Sequence, residues 1–210
     1  MEGNIEKMDT MKYFTKEINR GTILRYLSFF LILLFFLFSL GCKGPMTYIN
    51  PSVDFSYIKR VAIAPIINLT NDKFAGEKVV NVVATEILRR GVFDVVEFGE
   101  VSKVLREEGM KPDNLVSKQL AARAGKRLNI EAILIGSVMQ YGVSNIGGSS
   151  FPEVSISLKL VDVNSYTILW EATHNIKGAS ILDQLFGIRK DSIEDLCKDV
   201  VEEMIDTLFG

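Results

Sequence analysis

Between Leu27 and Leu40 run fourteen apolar or small residues with no charge among them, and Gly41-Cys42 closes the run. Lys12, Lys16, Arg20 and Arg25 stand before it. A basic segment, an apolar segment and a small residue directly before a cysteine form the pattern of a lipoprotein signal peptide. A helix crossing a bilayer needs about 20 apolar residues for a core of roughly 30 Å, and this run is shorter. The expectation is that residues 1–41 are removed and that Cys42 carries acyl chains such as palmitate, which tether the rest to a membrane without spanning it. An uncleaved signal anchor is the alternative. Ser39-Leu40-Gly41-Cys42 has its Ser and Leu in the reverse of the commonest order, while Gly before Cys is standard. Lys43 follows the cysteine where an Asp would mark inner-membrane retention, so the outer membrane is expected, with the domain facing the periplasm. Met8 and Met11 are alternative starts.

Everything that must fold then lies in residues 42–210, which is 169 residues and the size of one domain. Of the chain's 24 basic and 26 acidic residues this part holds 19 and 22, net −3. That balance excludes the basic footprint of a nucleic-acid binder. With Cys42 acylated, Cys197 has no partner for an internal disulfide. It falls on the apolar side of a helical pattern, where a free cysteine acts as a small buried hydrophobe.

Residues 42–56 contain Gly44, Pro45 and Pro51 without periodicity and read as the lipidated cysteine and a linker. The domain proper is expected over 57–210. Val61-Ala62-Ile63-Ala64-Pro65 is a buried-strand signal, and Asn68 to Asp72 is rich in turn formers. Val79, Val80, Val83, Ala84, Ile87 and Leu88 recur at helical spacing from Glu77 to Arg90, with Gly91 as the stop. Val92 to Phe98 reads as a second strand. A short helix follows from Glu100 to Glu108, with Val101, Val104 and Leu105 inward. A third, capped by Asp113 or Asn114, turns Val116, Leu120, Ala121, Ala124 and Leu128 inward. Ala132 to Tyr141 is a strand, Gly142–Phe151 a loop. Val154, Ile156, Leu158 and Leu160 then alternate with polar residues in the clearest strand of the chain. Asp162 to Tyr166 turns it into a partner strand over Thr167 to Thr173, and a last helix carries the stripe Ile193 to Leu208. The expected order is β-α-β-α-α-β-β-β-α. That is a single layered α/β domain with a mixed β-sheet and helices packed on it.

Signals for chemistry are sparse. His174 is the only histidine and is expected at an exposed rim. One histidine and no cysteine pair do not make a zinc site, so no metal and no cofactor are expected. Gly147-Gly148-Ser149-Ser150 does not open a helix, so it lacks the amides that cradle phosphate. Glu107-Glu108 and Glu202-Glu203 read as solvated helix faces rather than acid/base pairs. No catalytic residue, no enzyme activity and no small-molecule substrate are expected. Leu182, Leu185, Phe186 and Ile188 put more apolar side chains into the 178–190 segment than a loop needs. They either cover the sheet and fill the core, or form a surface for a partner or a second copy.

Val61-Ala62-Ile63-Ala64-Pro65 with Asn68-Leu69-Thr70, and the helix running into Arg89-Arg90-Gly91-Val92-Phe93-Asp94, resemble the opening of CsgG-like envelope lipoproteins. Ala132 to Val138, Leu158 to Asn164 and Ile168-Leu169-Trp170 resemble its second half. Related folds include lipoprotein activators of penicillin-binding proteins and the N-terminal domain of TolB. The resemblance implies a non-catalytic envelope module that binds an envelope protein or associates with itself, serving a secretion or cell-wall machine. The alternative it implies is a ring-forming subunit of a curli-type secretion channel. Against this, Gly142–Phe151 and Gly178–Lys190 are each too short alone for a spanning hairpin of two strands of about 9–11 residues, although extension of the flanking strands would lengthen one of them.

Overall fold

The computed structural model describes residues 25–31, 44–111, 115–179 and 192–209. The chain divides into two units, Met1–Lys43 and Gly44–Gly210. In the first, residues 25–31 are helical with Phe29 and Phe30 exposed. No helix among the described residues is long and apolar enough to cross a membrane.

The second unit carries seven strands and four helices among its described residues. In order they are β1 (Met46–Ile49), β2 (Arg60–Ile63), β3 (Ile67–Asn68), α1 (Ala75–Arg90), β4 (Asp94–Val95), α2 (Phe98–Glu107), α3 (Lys118–Leu128), β5 (Ala132–Ile146), β6 (Ser149–Asp162), β7 (Ile168–Lys177) and α4 (Ile193–Phe209). The strands form one open sheet in the order β1-β7-β6-β5-β2-β4, with β3 beside β5. β2 is parallel to β4 and β5, whereas β1, β6 and β7 pair antiparallel.

Side chains alternate across a strand, so a strand buried on both faces reads as a continuous apolar run. Val61 and Ile63 of β2 enter a core with Ala132 and Leu134 of β5, under α1 and α4. Ala62, Ala64 and Ile133 enter a second core on the opposite face, under α2 and α3. The layering is therefore helix, sheet, helix. On β6, Val154, Ile156, Leu158 and Leu160 all face α4, as their alternation requires.

Helix ends follow local chemistry. Gly91 takes the left-handed conformation at φ 65° and stops α1. Ser117 caps α3, accepting from the Leu120 amide at 3.3 Å. The cap thus falls later than the Asp113 or Asn114 expected from sequence, which lie outside the described residues. Leu88, expected inward, is exposed, because the inner face of α1 is already filled by Val79, Val80, Val83 and Ile87. The strand expected over Val92 to Phe98 shortens to Asp94–Val95, since Glu97 caps α2 through the Glu100 amide at 2.8 Å.

Two segments differ more. Met46–Ile49, part of the expected linker, is an edge strand paired with Trp170 to Thr173. Gly142–Phe151, expected as a loop, continues β5 and β6 into a long hairpin. Its turn is Gly147-Gly148 at φ 58° and 81°, the backbone that a two-residue hairpin turn demands and glycine supplies. The β6–β7 connection is held by Asp162. Its Oδ1 accepts from the Asn164 and Ser165 amides at 3.0 and 2.7 Å, and Tyr57 Oη donates to Oδ2 at 2.9 Å. Burial opposes the charge on Asp162, but these hydrogen bonds outweigh it and hold the carboxyl below its ordinary value.

Two outcomes are expected. A Cβ on Gly136 would collide with the Ser157 carbonyl oxygen and sit 2.8 Å from Leu158 Cδ2, so Gly136→Ala should cost about 1–3 kcal/mol by denaturant midpoint. Asp162→Ala should cost about 2 kcal/mol at pH 7. A carboxyl depressed by folding stabilises fully above its unfolded value of about 3.9, and the contribution is lost as pH falls through the lower folded value. The gap between Asp162→Ala and the parent should therefore close in urea titrations at successively lower pH below about 4.

Candidate functional site

Cys42, Leu182, Leu185, Phe186 and Ile188, the positions singled out from sequence, lie outside the described residues. Among the described residues the groups able to do chemistry are tied into structure. His174 is buried, not at a rim. It opposes Ile156 on the face under α4, and its Nε2 lies 2.7 Å from Glu203 Oε2. The misplacement follows from parity: His174 sits on the same side of β7 as Ala172, and α4 covers that side. Cys197 is buried as expected, and burial pushes its thiol up to about 12, far from a reactive thiolate. Glu108 bonds Arg123 at 2.7 Å and Arg127 at 3.0 Å, and Glu107 bonds Arg127 at 2.5 Å. The guanidinium of Arg127 holds both carboxyls below their usual range. These acids lock α2 to α3. No group of three or more potential metal ligands gathers among the described residues.

A broad surface remains. α2 and α3 cover β2, β4 and the start of β5, and their core reaches β6 only at Val161. The rest of that sheet face, across β6, β7 and β1, lies under no described helix. Its register brings together Ser157 with Thr173, Lys159 with Glu171, and Met46 and Tyr48 beside them. Thr173 Oγ1 donates to Ser157 Oγ at 3.0 Å, and Lys159 Nζ pairs with Glu171 Oε1 at 3.0 Å. Asn175 and Lys177 reach Glu153 Oε1 at 2.7 and 3.5 Å. Burial raises the Glu153 carboxyl, but the partners Ser144, Asn175 and Lys177 outweigh it and hold it low. Met46 is 81% exposed and Tyr48 49%. A polar ladder rimmed by exposed aromatic and thioether groups suits reversible protein contact. Among the described residues no strand pairs the outer edge of β5 beyond Val138 and none pairs β6 beyond Pro152, so the hairpin tip is a two-stranded ribbon there. Val143 and Ile146 on it are half exposed. The β1 strand and the ribbon carried no apolar periodicity. The Gly-Gly pair between two strand-like runs was the signal for the ribbon.

The model of the family described as "Peptidoglycan-synthase activator LpoB" matches residues 49–176, from the end of β1 to the end of β7. The chain belongs to the LpoB family. No curated protein sequence matches it. Among solved structures it is similar to the PelC dodecamer from Paraburkholderia phytofirmans, at 18% identity and a TM-score of 0.54, over 78% of this chain and 95% of PelC. It is similar to lipoprotein GNA1162 from Neisseria meningitidis at 17% identity and a TM-score of 0.52, over 72% and 98% of the two chains. The LpoB C-terminal domain from Salmonella enterica aligns at 15% identity and a TM-score of 0.45, over 61% and 87%. At these identities the likeness to PelC and GNA1162 shows the fold. The match is to the activator family among the relatives the sequence resembles; membership of a CsgG-like family and a curli-type channel find no support in it. A non-catalytic envelope binding module of the LpoB family is the coarse identity of this chain.

The uncovered face should tolerate change. Tyr48→Ser is expected to alter stability by no more than about 0.5 kcal/mol, because half the residue is already in water. Trp170→Ala, buried on the opposite face of the same sheet edge, should cost about 3–5 kcal/mol. Paired thermal melts check both.

Proposed function

We propose that this chain is a lipoprotein anchored to the outer membrane through acyl chains on Cys42, with its domain in the periplasm, and that it binds and activates a peptidoglycan synthase. The observation that carries the reading is the family match, which runs from Ile49 to Ile176 and takes in β2 to β6 and nearly all of β7. The apolar run Leu27–Leu40 ending at Gly41-Cys42 supports the anchor. The face of β6, β7 and β1 supplies the contact, with Tyr48 and Met46 as its apolar anchors and the Lys159–Glu171 pair as polar rim. The segment bearing Leu182, Leu185, Phe186 and Ile188 adds to the contact, and Phe186→Ser weakens it.

A second reading is self-association. PelC, which shares the fold, is a dodecamer. The free edges of the β5–β6 ribbon are where one copy could pair with the next.

The deciding assay is the rate of glycan polymerisation by the purified peptidoglycan synthases of the same cell, with and without the full-length lipoprotein in detergent. One synthase should speed up several-fold, and Tyr48→Ser should raise its apparent Kd about tenfold. No binding and no rate change for any synthase would overturn the reading. A detergent-corrected mass of many subunits would favour the ring.

A further inference from the structure

The sheet has a topological switch point. The chain leaving β2 crosses by α1 on one face to reach β4, and the chain leaving β4 crosses by α2 and α3 on the opposite face to reach β5. β2 lies between β4 and β5, so the two exits diverge and open a crevice at the carboxyl ends of β2 and β4. Open α/β sheets take their ligands in such crevices. Here it is a cleft of about 290 Å³, walled by the start of α1 and by the face of α2 that carries Phe98, Ser102 and Arg106.

Three independent features of this cleft point to an anion. α1 begins at Phe74, which offers no side-chain cap, and no described residue accepts from the first-turn amides of Gly76 and Glu77, which line the cleft. Ser102, on the α2 wall, is 8% exposed, and its Oγ is the one buried side-chain polar atom without a hydrogen-bond partner among the described residues. Buried hydroxyls are ordinarily satisfied, and this one, enclosed in its present rotamer, would meet a ligand in the cleft by turning about its Cα–Cβ bond. Lys73 and Arg106 line the same cleft. Of the second unit's described arginines, Arg60, Arg89, Arg90, Arg123 and Arg127 all have acceptors, and Arg106 has none among the described residues. Glu77 is the opposing charge, leaving a side-chain balance of +1 before the positive end of the α1 dipole is added.

We propose that this cleft binds a small oxyanion, a carboxylate or phosphate group that accepts from Arg106, Lys73, Ser102 Oγ and the first-turn amides of α1. The group enters against the ring of Phe98, which forms the apolar wall. Glu77 limits the site to a single anionic group. The site lies on the α1–β4 side of the sheet, away from β7 and β1, so it is separate from the proposed synthase contact.

The test uses the full-length protein in non-ionic detergent. Inorganic phosphate and acetate are titrated at millimolar concentration against sodium chloride of equal ionic strength. This is below the range in which phosphate stabilises by exclusion from protein surfaces. Thermal melting gives the affinity, and the amide resonances of Gly76 and Glu77 give the location. A saturable upward shift with phosphate, acetate or both, accompanied by movement of those two resonances, supports the site. Which anion works identifies the oxyanion. Arg106→Gln should raise the Kd about tenfold or more, as loss of a charged hydrogen-bond donor does. Ser102→Ala should raise it about threefold, while melting no lower than the parent without ligand, since it removes an unsatisfied hydroxyl. No anion-specific shift, or a shift unchanged in both variants, would overturn the proposal.

Discussion

The parallel pairing of β2 with β5 is the constraint on which the domain rests. Val61 to Ile63 lie opposite Ala132 to Leu134, and every one of these side chains is buried, alternately on one face and the other. A strand pair with no wet face must be covered twice, so helices are required on both sides. α1 and α4 meet the Val61–Ile63 face, and α2 and α3 meet the Ala62–Ala64 face. The small Ala62, Ala64, Ala121 and Ala124 let α3 approach the second face closely.

The cover is unequal, and function follows from the inequality. One face is roofed across β2, β5, β6 and β7. The other is roofed only near β2 and β5, so β6, β7 and β1 present Ser157, Lys159, Glu171 and Thr173 outward. Polar alternation on β6 matches a face that no described helix covers. The proposed contact surface and the core are thus the two sides of the same strands.

What could be read from sequence was what local burial writes into it. The alternation of Val154, Ile156, Leu158 and Leu160, the stripe from Leu196 to Ile205 and the stop at Gly91 are each specified by their own neighbours. β1 could not be read this way. All four of its residues are exposed, and it exists only because Trp170 to Thr173, more than a hundred residues later, offer an edge. His174 was misplaced because a polar residue in a strand takes its environment from the helix above it, here Glu203 of α4. The crevice between α1 and α2 was invisible for a related reason. Ser102 and Arg106 sit at ordinary helical positions, and only the order of strands brings them opposite Lys73 and Gly76.

Charge pairing sharpens that last point. Arg89 and Arg90 reach from α1 to Glu202 and Asp206 of α4, and Arg123 and Arg127 reach from α3 to Glu107 and Glu108 of α2. Each helix layer therefore carries its own half-exposed clasp, better suited to fixing helix register than to holding the fold. With Arg60 bonded to the Leu128 carbonyl, the described arginines of the domain are accounted for except one. That one is Arg106, which has no acceptor among the described residues. Its place on the wall of a crevice with an unsatisfied hydroxyl and open helix amides is what distinguishes a ligand site from a solvated surface charge.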